Sequence, residues 1–440
     1  MASSDLQELV HQALTGASGQ GATQAEAAAS LGTGLSVMVR RGEVETLEYQ
    51  RDRGFTVTVY FGQKKGSAST SDLAVHSIQE TVAKACSIAR FTAEDPLLGL
   101  ADADLMPKEV PDLSLDHPWG LSPDEAIGIA TECEAAGLEF DPRISNSEGG
   151  TLNTHRGMRV YGNTHGFVGG YSSSNHGLSC VLVAAGENGG MERDYWYTGS
   201  RDPATLESAA DVGRIAARRA VARLDARKLS TRNAPVLYPA ELARGLIGHF
   251  VSAVSGTAQY RKASFLLDSI GEQVFPAGLS IDERPHLPAA MASAPFDAEG
   301  VATADQSLVA DGRLESYVLS SYSARRLGMT STGNAGGIHN LIVGPGTGSF
   351  DDLLAEMDTG FLVTELIGQG VNTVTGDYSR GAAGFWVENG KISFPVSEIT
   401  IAGNLKNMLS GIARIGSDVD TRGAVRTGSI LIDNMKIAGD

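Results

Sequence analysis

The chain has 440 residues, of which 42% are hydrophobic and 20% are charged. A chain of this length and composition can bury a sizeable core and is expected to form two or more domains. Its formal net charge of −17 argues against direct binding of nucleic acid, because such binding depends on Lys and Arg neutralising phosphates.

The first third of the chain predicts helices and an antiparallel sheet. Residues 5–14 are typical of a short amphipathic helix. From Gly34 onward, apolar and polar residues alternate between turn signals, which predicts an antiparallel meander. A helix follows, with Ser71 or Asp72 expected as its N-cap. Further on, the segment Ser122–Glu125 has the pattern of a capping box with Pro at the first helical position, which predicts another helix.

The middle of the chain predicts strands and then a long helix. Short strands separated by Gly and Asn turns are expected from Ile144 to Tyr197, and the helix is expected to begin at Asp202 and end near Arg227. The densest basic stretch, Gly213–Lys228, lies at the end of this segment. Its alternation with Ala and Val favours a helix with one apolar and one solvated face over an RNA-binding or membrane-binding role.

The polar segment 228–233 is the best candidate for a domain boundary. Beyond it the pattern predicts a helix at about 240–253, many short strands, and a second helix at about 350–357. The sequence therefore predicts an α+β protein. Residues 1–230 are expected to form a domain of helices packed on an antiparallel sheet, and residues 231–440 a β-rich, barrel-like domain with few helices.

The three cysteines, Cys86, Cys133 and Cys180, have no C-x-x-C spacing and predict neither a disulfide framework nor a zinc knuckle. All three lie in apolar patterns and are expected to be small buried side chains. The N-terminus does not have the pattern of a signal peptide, and no apolar run approaches 18 residues. The expected location is the cytoplasm, without membrane insertion.

A glycine-rich loop before Ser349 has the strand-loop-helix order of a phosphate cradle. It lacks the G-K-[ST] ending, and its glycines do not fit G-x-G-x-x-G. Ser349 and Asp352 make an adequate capping box. The pattern therefore favours a plain strand-to-helix turn over a nucleotide site.

Histidines are scattered along the chain, and neither an H-E-x-x-H motif nor a G-x-S-x-G nucleophile elbow is present. The most closely spaced are His155, His165 and His176, which fall in a segment of strands and turns. Hydrogen-bonding roles are favoured for these three over roles as metal ligands.

One short segment places four polar side chains in succession: Asp377, Tyr378, Ser379 and Arg380. Two interpretations of this cluster remain open. It is either a polar site facing a substrate or a structural turn network ahead of a run of glycines.

Three long blocks in the second half carry a resemblance to a known family. They are Ser331–Val343, Gly368–Leu409 and Asp420–Asp440, and they closely resemble the PmbA/TldE branch of the TldD/PmbA protease family. The likeness extends over essentially the whole chain. The family includes proteins labelled modulators of DNA gyrase, and the acidic composition of this chain makes any such effect indirect.

In that family the TldD-type subunit is the metallopeptidase. The resemblance implies that its helix carries an H-E-x-x-x-H motif and that a cysteine nearer the C-terminus completes the zinc site. Zinc polarises the scissile carbonyl and activates water, while the glutamate handles the proton.

Aligned with the present chain, the first His of that motif falls on Arg244, the Glu on Gly245 and the second His on His249. A guanidinium that is always charged cannot ligate zinc, and glycine has no carboxylate to act as a base. The C-terminal block contains no cysteine. The resemblance thus implies no catalytic residues, no zinc and no other cofactor in this chain, with zinc expected in the TldD-type partner.

Without the family resemblance, the residue pattern around Arg244 predicts a helix that packs in the core. Apolar side chains recur every four residues at Leu242, Leu246 and Phe250, which predicts a stripe that faces the interior. Positions five apart on a regular helix diverge by roughly 140°. Arg244 and His249 are therefore not expected to share a face.

The favoured hypothesis is a TldE-like, non-catalytic subunit of a heteromeric zinc metallopeptidase. The resemblance implies that it pairs with a TldD-type subunit and degrades or trims unfolded peptides, in peptide-antibiotic maturation or antitoxin turnover. When alone, the chain could form a homodimer through the same interface. Two alternatives remain: a peptidase active in its own right through another site, and a stand-alone regulatory or scaffold protein.

Overall fold

The structure is a computed structural model that describes residues 3–187 and 189–439. Up to residue 230 it is built on one sheet. The strands of this sheet are β1 (Gln24–Arg40), β2 (Glu43–Phe61), β3 (Lys64–Thr70), β4 (Ile144–Asn163), β5 (Val168–Ala185) and β6 (Met191–Ser200). All neighbours are antiparallel, in the order β3-β2-β1-β4-β5-β6. The division of the chain at residue 230 into two domains stays a prediction.

Helices cover one face of this sheet. They are α1 (Ser3–Gly19), α2 (Val75–Phe91), α3 (Pro123–Leu138) and α4 (Ala209–Ala222). Odd-numbered residues at the start of β1 lie in a core with α1 and α2, and those at its end lie in a core with α3 and α4. Because side chains alternate along a strand, both helix pairs occupy the same face. The other face meets the second half of the chain, where the rings of Tyr161 and Phe296 lie 6.4 Å apart.

Close packing of α3 against α4 depends on glycine. A Cβ atom at Gly213 would lie 1.9 Å from the carbonyl oxygen of Cys133. Only a residue without a side chain lets the two helix backbones approach this closely.

The second half of the chain forms a closed barrel and a second sheet. The barrel strands are β7 (Arg232–Tyr238), β12 (Gly360–Ile367), β13 (Asp377–Glu388), β14 (Lys391–Asn404) and β17 (Ile430–Ala438). The second sheet comprises β8 (Ser280–Glu283), β9 (Gln306–Ala310), β10 (Arg313–Leu314), β11 (Leu341–Gly344) and β16 (Val425–Arg426). Strand β14 pairs with both β13 and β17, which closes the barrel. Strand β15 (Ile412–Ile415) pairs with residues 430–432 of β17.

The helices of this half are α5 (Ala240–Ala253), α6 (Gly256–Tyr260), α7 (Ser321–Leu327), α8 (Phe350–Met357) and α9 (Leu405–Ser410). Phe250 of α5 belongs to the same buried core as Val236 and Phe361 of the barrel. Helix α8 packs on the outside of the barrel against Leu237. The α+β class with a β-rich, barrel-like second half is confirmed.

Several local predictions are confirmed by the structure. Helices α5 and α8 have the predicted bounds. The capping box at Ser122 is present, and so is the one that joins Ser349 and Asp352. The glycine-rich loop before Ser349 is accordingly a strand-to-helix turn between β11 and α8.

The prediction of one long helix from Asp202 to Arg227 is wrong. A short 3₁₀ turn spans Pro203–Thr205, and α4 begins anew after Ser208, whose side chain caps the N–H of Asp211. Between the 3₁₀ turn and α4, Glu207 is hydrogen-bonded to β6. Its N–H donates to Thr198, and its carboxylate accepts a hydrogen bond from Trp196. These contacts to a neighbouring strand outweigh the local helical preference.

The N-cap prediction for α2 is also wrong. The cap position is Ala74, which makes no side-chain capping bond. Asp72 accepts hydrogen bonds from the N–H of Ala74 and the hydroxyl of Ser77. The aspartate thus stabilises a turn before the helix and leaves the cap position to the residue that follows.

Cysteine burial is as predicted, since Cys86, Cys133 and Cys180 are free and buried. Cys133 and Cys180 belong to the same core beneath α3 and α4. Across residues 3–187 and 189–439, no helix is long and apolar enough to span a membrane.

Candidate functional site

Helix α5 carries the three positions that the family motif singles out. Its first turn contains Glu241, and its buried stripe includes Leu246 and Phe250. Packing of this stripe into the barrel core fixes the rotation of the helix. Arg244 is therefore turned away from the core, and 35% of its side chain is exposed.

Arg244 faces the C-terminal segment that follows β15. Its Nη1 atom lies 3.9 Å from Oδ2 of Asp420. The fold thus brings the first motif position on α5 next to the block where the family's third ligand would be expected.

Asp420 is held more tightly by another arginine. The Nε and Nη2 atoms of Arg422 donate to its two carboxylate oxygens at 2.9 and 3.1 Å. Burial raises the pKa of Asp420, but hydrogen bonds and charge from Arg422, together with the charge of Arg244, outweigh burial and lower the pKa overall. The carboxylate is therefore held in its ionised form between two guanidinium groups.

Aromatic rings of β6 complete this arrangement. The guanidinium of Arg422 lies 4.6 Å from the ring centre of Trp196 and 4.3 Å from that of Tyr197. Its Nη1 atom also donates to the carbonyl oxygen of Tyr197 at 2.7 Å. Stacking and hydrogen bonds together fix this side chain between β6 and the C-terminal segment.

A network of partly buried ion pairs continues from this point into α4. Arg219 donates to Asp194 at 3.2 Å and to Glu241 at 2.9 Å. Arg223 pairs with Asp194 and with Glu365 of β12. These pairs join α4 and β6 to α5 and to the barrel. They tie the two halves of the chain together at the candidate site.

The side chain of His249 contacts strand β13 and not the C-terminal segment that Arg244 faces. Its ring makes an edge contact with Tyr378, with the ring centres 6.0 Å apart. Burial lowers the pKa of His249, and the charge of Arg380 lowers it further. Arg244 and His249 thus have different surroundings, as the helical spacing predicted.

The residues at the motif positions do not fit zinc. Arg244 cannot be a ligand, and its Nη1 atom lies 3.9 Å from Asp420. Gly245 has no side chain, and a Cβ atom placed there would meet no heavy atom within 4 Å. His249 is a single imidazole beside a positive charge. No group of three or more metal-binding side chains occurs among the described residues, and a catalytic zinc needs three protein ligands.

The four polar residues from Asp377 to Arg380 do not form one cluster. They begin β13, where alternate side chains point to opposite faces. Asp377 and Ser379 are exposed, and Asp377 accepts a hydrogen bond from Thr375. Tyr378 and Arg380 point inward, toward His249 and α5.

The three neighbouring histidines are not brought together either. His176 is buried, with Nδ1 2.8 Å from the hydroxyl of Thr154 and Nε2 2.9 Å from the carbonyl of His117. His155 and His165 are exposed. The hydrogen-bonding role that the sequence favoured therefore describes the contacts of His176.

A cavity of about 300 Å³ lies between α5, β6 and the barrel. Its walls include Arg223, Arg244, Gly245, Thr364, Glu365 and Arg380. Of these, the sequence pointed to Arg244, Gly245 and Arg380, through the motif and through the polar segment of β13. It missed Arg223, Glu365 and the partners Asp420 and Arg422, because no spacing along the chain signals contacts between such distant segments.

Comparison with known proteins places the whole chain in one family. Family models described as PmbA/TldA metallopeptidase domain 1, central domain and C-terminal domain match residues 25–89, 116–224 and 231–439. The metalloprotease PmbA of Escherichia coli O157:H7 is 52% identical over 435 residues, which cover 99% of this chain and 96% of that protein.

Solved structures have the same fold. A Bacteroides thetaiotaomicron protein proposed as a modulator of DNA gyrase superposes with a TM-score of 0.95 at 27% identity, covering 100% of both chains. TldE from Thermococcus kodakarensis superposes with a TM-score of 0.87 over 98% of this chain and 100% of that one, and at 19% identity it shows the fold alone. The chain belongs to the PmbA/TldD family of metallopeptidases.

Proposed function

We propose that this chain is the TldE-like, non-catalytic subunit of a heteromeric zinc metallopeptidase of the cytoplasm. In this proposal a TldD-type subunit holds the zinc and hydrolyses the peptide bond. The present chain shapes the chamber that receives unfolded peptides. The E. coli relative is named a metalloprotease, and this chain would share in that activity only as part of a complex.

The observation that supports the proposal is an ion-pair network at the position where the family resemblance implies the first zinc ligand. Arg244 occupies the first motif position with Nη1 3.9 Å from Asp420, and the carboxylate of Asp420 accepts two hydrogen bonds from Arg422. Positive charge at this density opposes the binding of a divalent cation. The same side chains stabilise the contact between α5 and the C-terminal segment, which suits a structural role.

The edge of the sheet supports a role in peptide binding. Strand β6 is the last strand of its sheet and pairs with β5 alone in that sheet. Tyr195 of β6 lines the cavity beside α5. An edge strand can hold an extended peptide through main-chain hydrogen bonds with little demand on sequence. The N–H of Tyr195 and the carbonyl of Tyr197 are already bonded to Asp194 and Arg422, so an extended, unfolded peptide would pair with the rest of this edge.

Zinc content and peptide cleavage test the proposal. Both are measured for this chain alone, for a TldD-type subunit alone and for the mixture, with an unstructured peptide as substrate. The expected result is no zinc and no cleavage for the isolated chain, and cleavage in the mixture. A partner whose first motif His is changed to Ala should leave the mixture inactive. Zinc together with cleavage in the isolated chain would contradict the proposal.

A further inference from the structure

The cavity beside α5 has an excess of positive charge that ion pairs do not neutralise. Its carboxylates are all engaged by arginines: Asp194 and Glu241 by Arg219, and Glu365 by Arg223. Two arginines on its walls are less well paired. These are Arg244 of α5 and Arg380 of β13.

Arg380 makes no ion pair in the part of the chain that the structure describes. Its Nη2 atom lies 3.4 Å from the carbonyl oxygen of Leu366, at the long end of hydrogen-bonding range. Its Nε atom is buried and has no hydrogen-bond partner. Arg380 is half-buried on the cavity wall, where an anionic ligand would stabilise its unpaired guanidinium.

Arg244 has a carboxylate neighbour, but the contact is loose. The distance to Asp420 is 3.9 Å, and the shorter bonds of that carboxylate go to Arg422. Arg244 is thus able to turn part of its fork toward the cavity without leaving Asp420 unpaired.

Further polar atoms and space lie in the same cavity. The hydroxyl of Thr364 is buried and has no hydrogen-bond partner among the described residues. The surface of α5 at Gly245 is open, since a Cβ atom placed there would meet no atom from outside its own stretch of helix within 4 Å. The volume of about 300 Å³ is at the lower end of the range for small-ligand sites, and it accommodates one terminal residue of a peptide.

We propose that Arg244 and Arg380 bind the C-terminal carboxylate of a peptide in this cavity, with Thr364 as an additional hydrogen-bond donor. The planar fork of arginine matches the two oxygens of a carboxylate. Strand β6 borders the cavity through Tyr195, whose N–H already donates to Asp194 at 2.7 Å, so the terminus is held by side chains and not by the strand edge. The use of this site within a peptidase complex rests on the proposed function, whereas binding to the isolated chain does not.

The test measures binding by fluorescence anisotropy on the isolated full-length chain. The probe is an N-terminally labelled six-residue peptide of alanine and serine, prepared once with a free C-terminal carboxylate and once with a C-terminal amide. We expect the amide to bind at least about tenfold more weakly, since it loses the charge-assisted hydrogen bonds. Equal binding of the two peptides would overturn the proposal. So would displacement of both peptides by inorganic phosphate when the chain does not prefer the free carboxylate over the amide.

Variants locate the site. Arg380→Met and Arg244→Met should each weaken binding of the free-carboxylate peptide by about tenfold or more. Gly245→Asp places a carboxylate in open space on α5 and should abolish binding without disturbing the core. Arg214→Met removes a charge of the same sign from an exposed part of α4 and should leave affinity unchanged. If Gly245→Asp and Arg380→Met both fold and bind like the wild type, the site is not here.

A cleavage assay distinguishes failure of this binding site from failure of the proposed subunit function. The chain is mixed with a TldD-type subunit, and cleavage of the two peptides is compared. Inactivity of the mixture, together with carboxylate-specific binding by the isolated chain, would contradict the subunit role and support the site. If the mixture is active and the isolated chain shows no preference for the free carboxylate, the subunit role is supported and the proposed site is overturned.

Discussion

The Nη1 atom of Arg244 lies 3.9 Å from Oδ2 of Asp420, whose two carboxylate oxygens accept hydrogen bonds from Arg422. This contact joins the first family-motif position on α5 to the C-terminal segment. In this chain the two segments are connected by charge pairing between side chains. These are the two segments in which the family resemblance implies zinc ligands.

Replacing Asp420 tests whether this network is structural. Asp420→Asn should reduce the free energy of unfolding by about 3 kcal/mol near pH 7, because Arg422 is left buried without its anion. The folded-state pKa of Asp420 is lowered, so its stabilising contribution is present above the unfolded pKa of about 3.9 and is lost as the pH falls through the folded value.

Urea unfolding followed by tryptophan fluorescence at several pH values gives the measurement. The difference between the wild type and Asp420→Asn should shrink as the medium is acidified. Asp211→Asn, in an exposed pair with Arg214 at 3.6 Å, is the matched control and should cost less than about 1 kcal/mol. A difference that does not depend on pH would argue against the assigned ion pair.

Gly245 offers a test of the open surface of α5. Gly245→Ala should stabilise the protein by about 0.5–1 kcal/mol, because alanine favours the helix and no heavy atom lies within 4 Å of the new Cβ atom. The matched control is Gly213→Ala, whose Cβ atom would lie 1.9 Å from the carbonyl of Cys133, and which should destabilise by about 1–3 kcal/mol. Chemical denaturation gives the free energy of unfolding of both variants. A loss of stability in Gly245→Ala would show that this surface is not open.

His249 should influence how stability depends on pH. Burial and the charge of Arg380 lower its pKa in the folded state. The unfolded chain then binds a proton more readily, so the free energy of unfolding falls as the pH drops below about 6.5. His249→Gln should flatten this dependence in unfolding experiments from about pH 5 to 8. An unchanged slope would mean that His249 is not the titrating group, and His165→Gln, at an exposed turn, controls for loss of a surface imidazole.

Arg223 tests the connection between the two halves of the chain. Its side chain is 11% exposed and pairs with Asp194 and Glu365. Arg223→Met should cost about 1–3 kcal/mol, because the buried Asp194 loses one of its two arginine partners. It should also increase proteolysis between α4 and β7. Arg214→Met on the same helix is exposed and should change neither stability nor cleavage, and equal effects of the two variants would refute the special role of Arg223.

Local patterns predicted much of the fold. Helix α5, which the apolar stripe predicted, has its predicted bounds, and α8 begins where the Ser349 capping box indicated. The long helix from Asp202 failed because Glu207 is bonded to β6. Such contacts with a distant strand leave no trace in helical periodicity.

The candidate site was less predictable. The alternation of β13 was available from the sequence and would have separated Tyr378 and Arg380 from their neighbours. The contacts of Asp420 with Arg244 and Arg422 depend on how the C-terminal segment passes beside α5. That path is set by closure of the barrel through β17. No spacing rule encodes it.

The most direct test of the account is zinc stoichiometry by native mass spectrometry. It is measured on this chain, on a TldD-type subunit, and on the assembled complex. The account predicts a metal-free chain when isolated, and in the complex one zinc for each TldD-type subunit. Zinc bound stoichiometrically by this chain alone would contradict it.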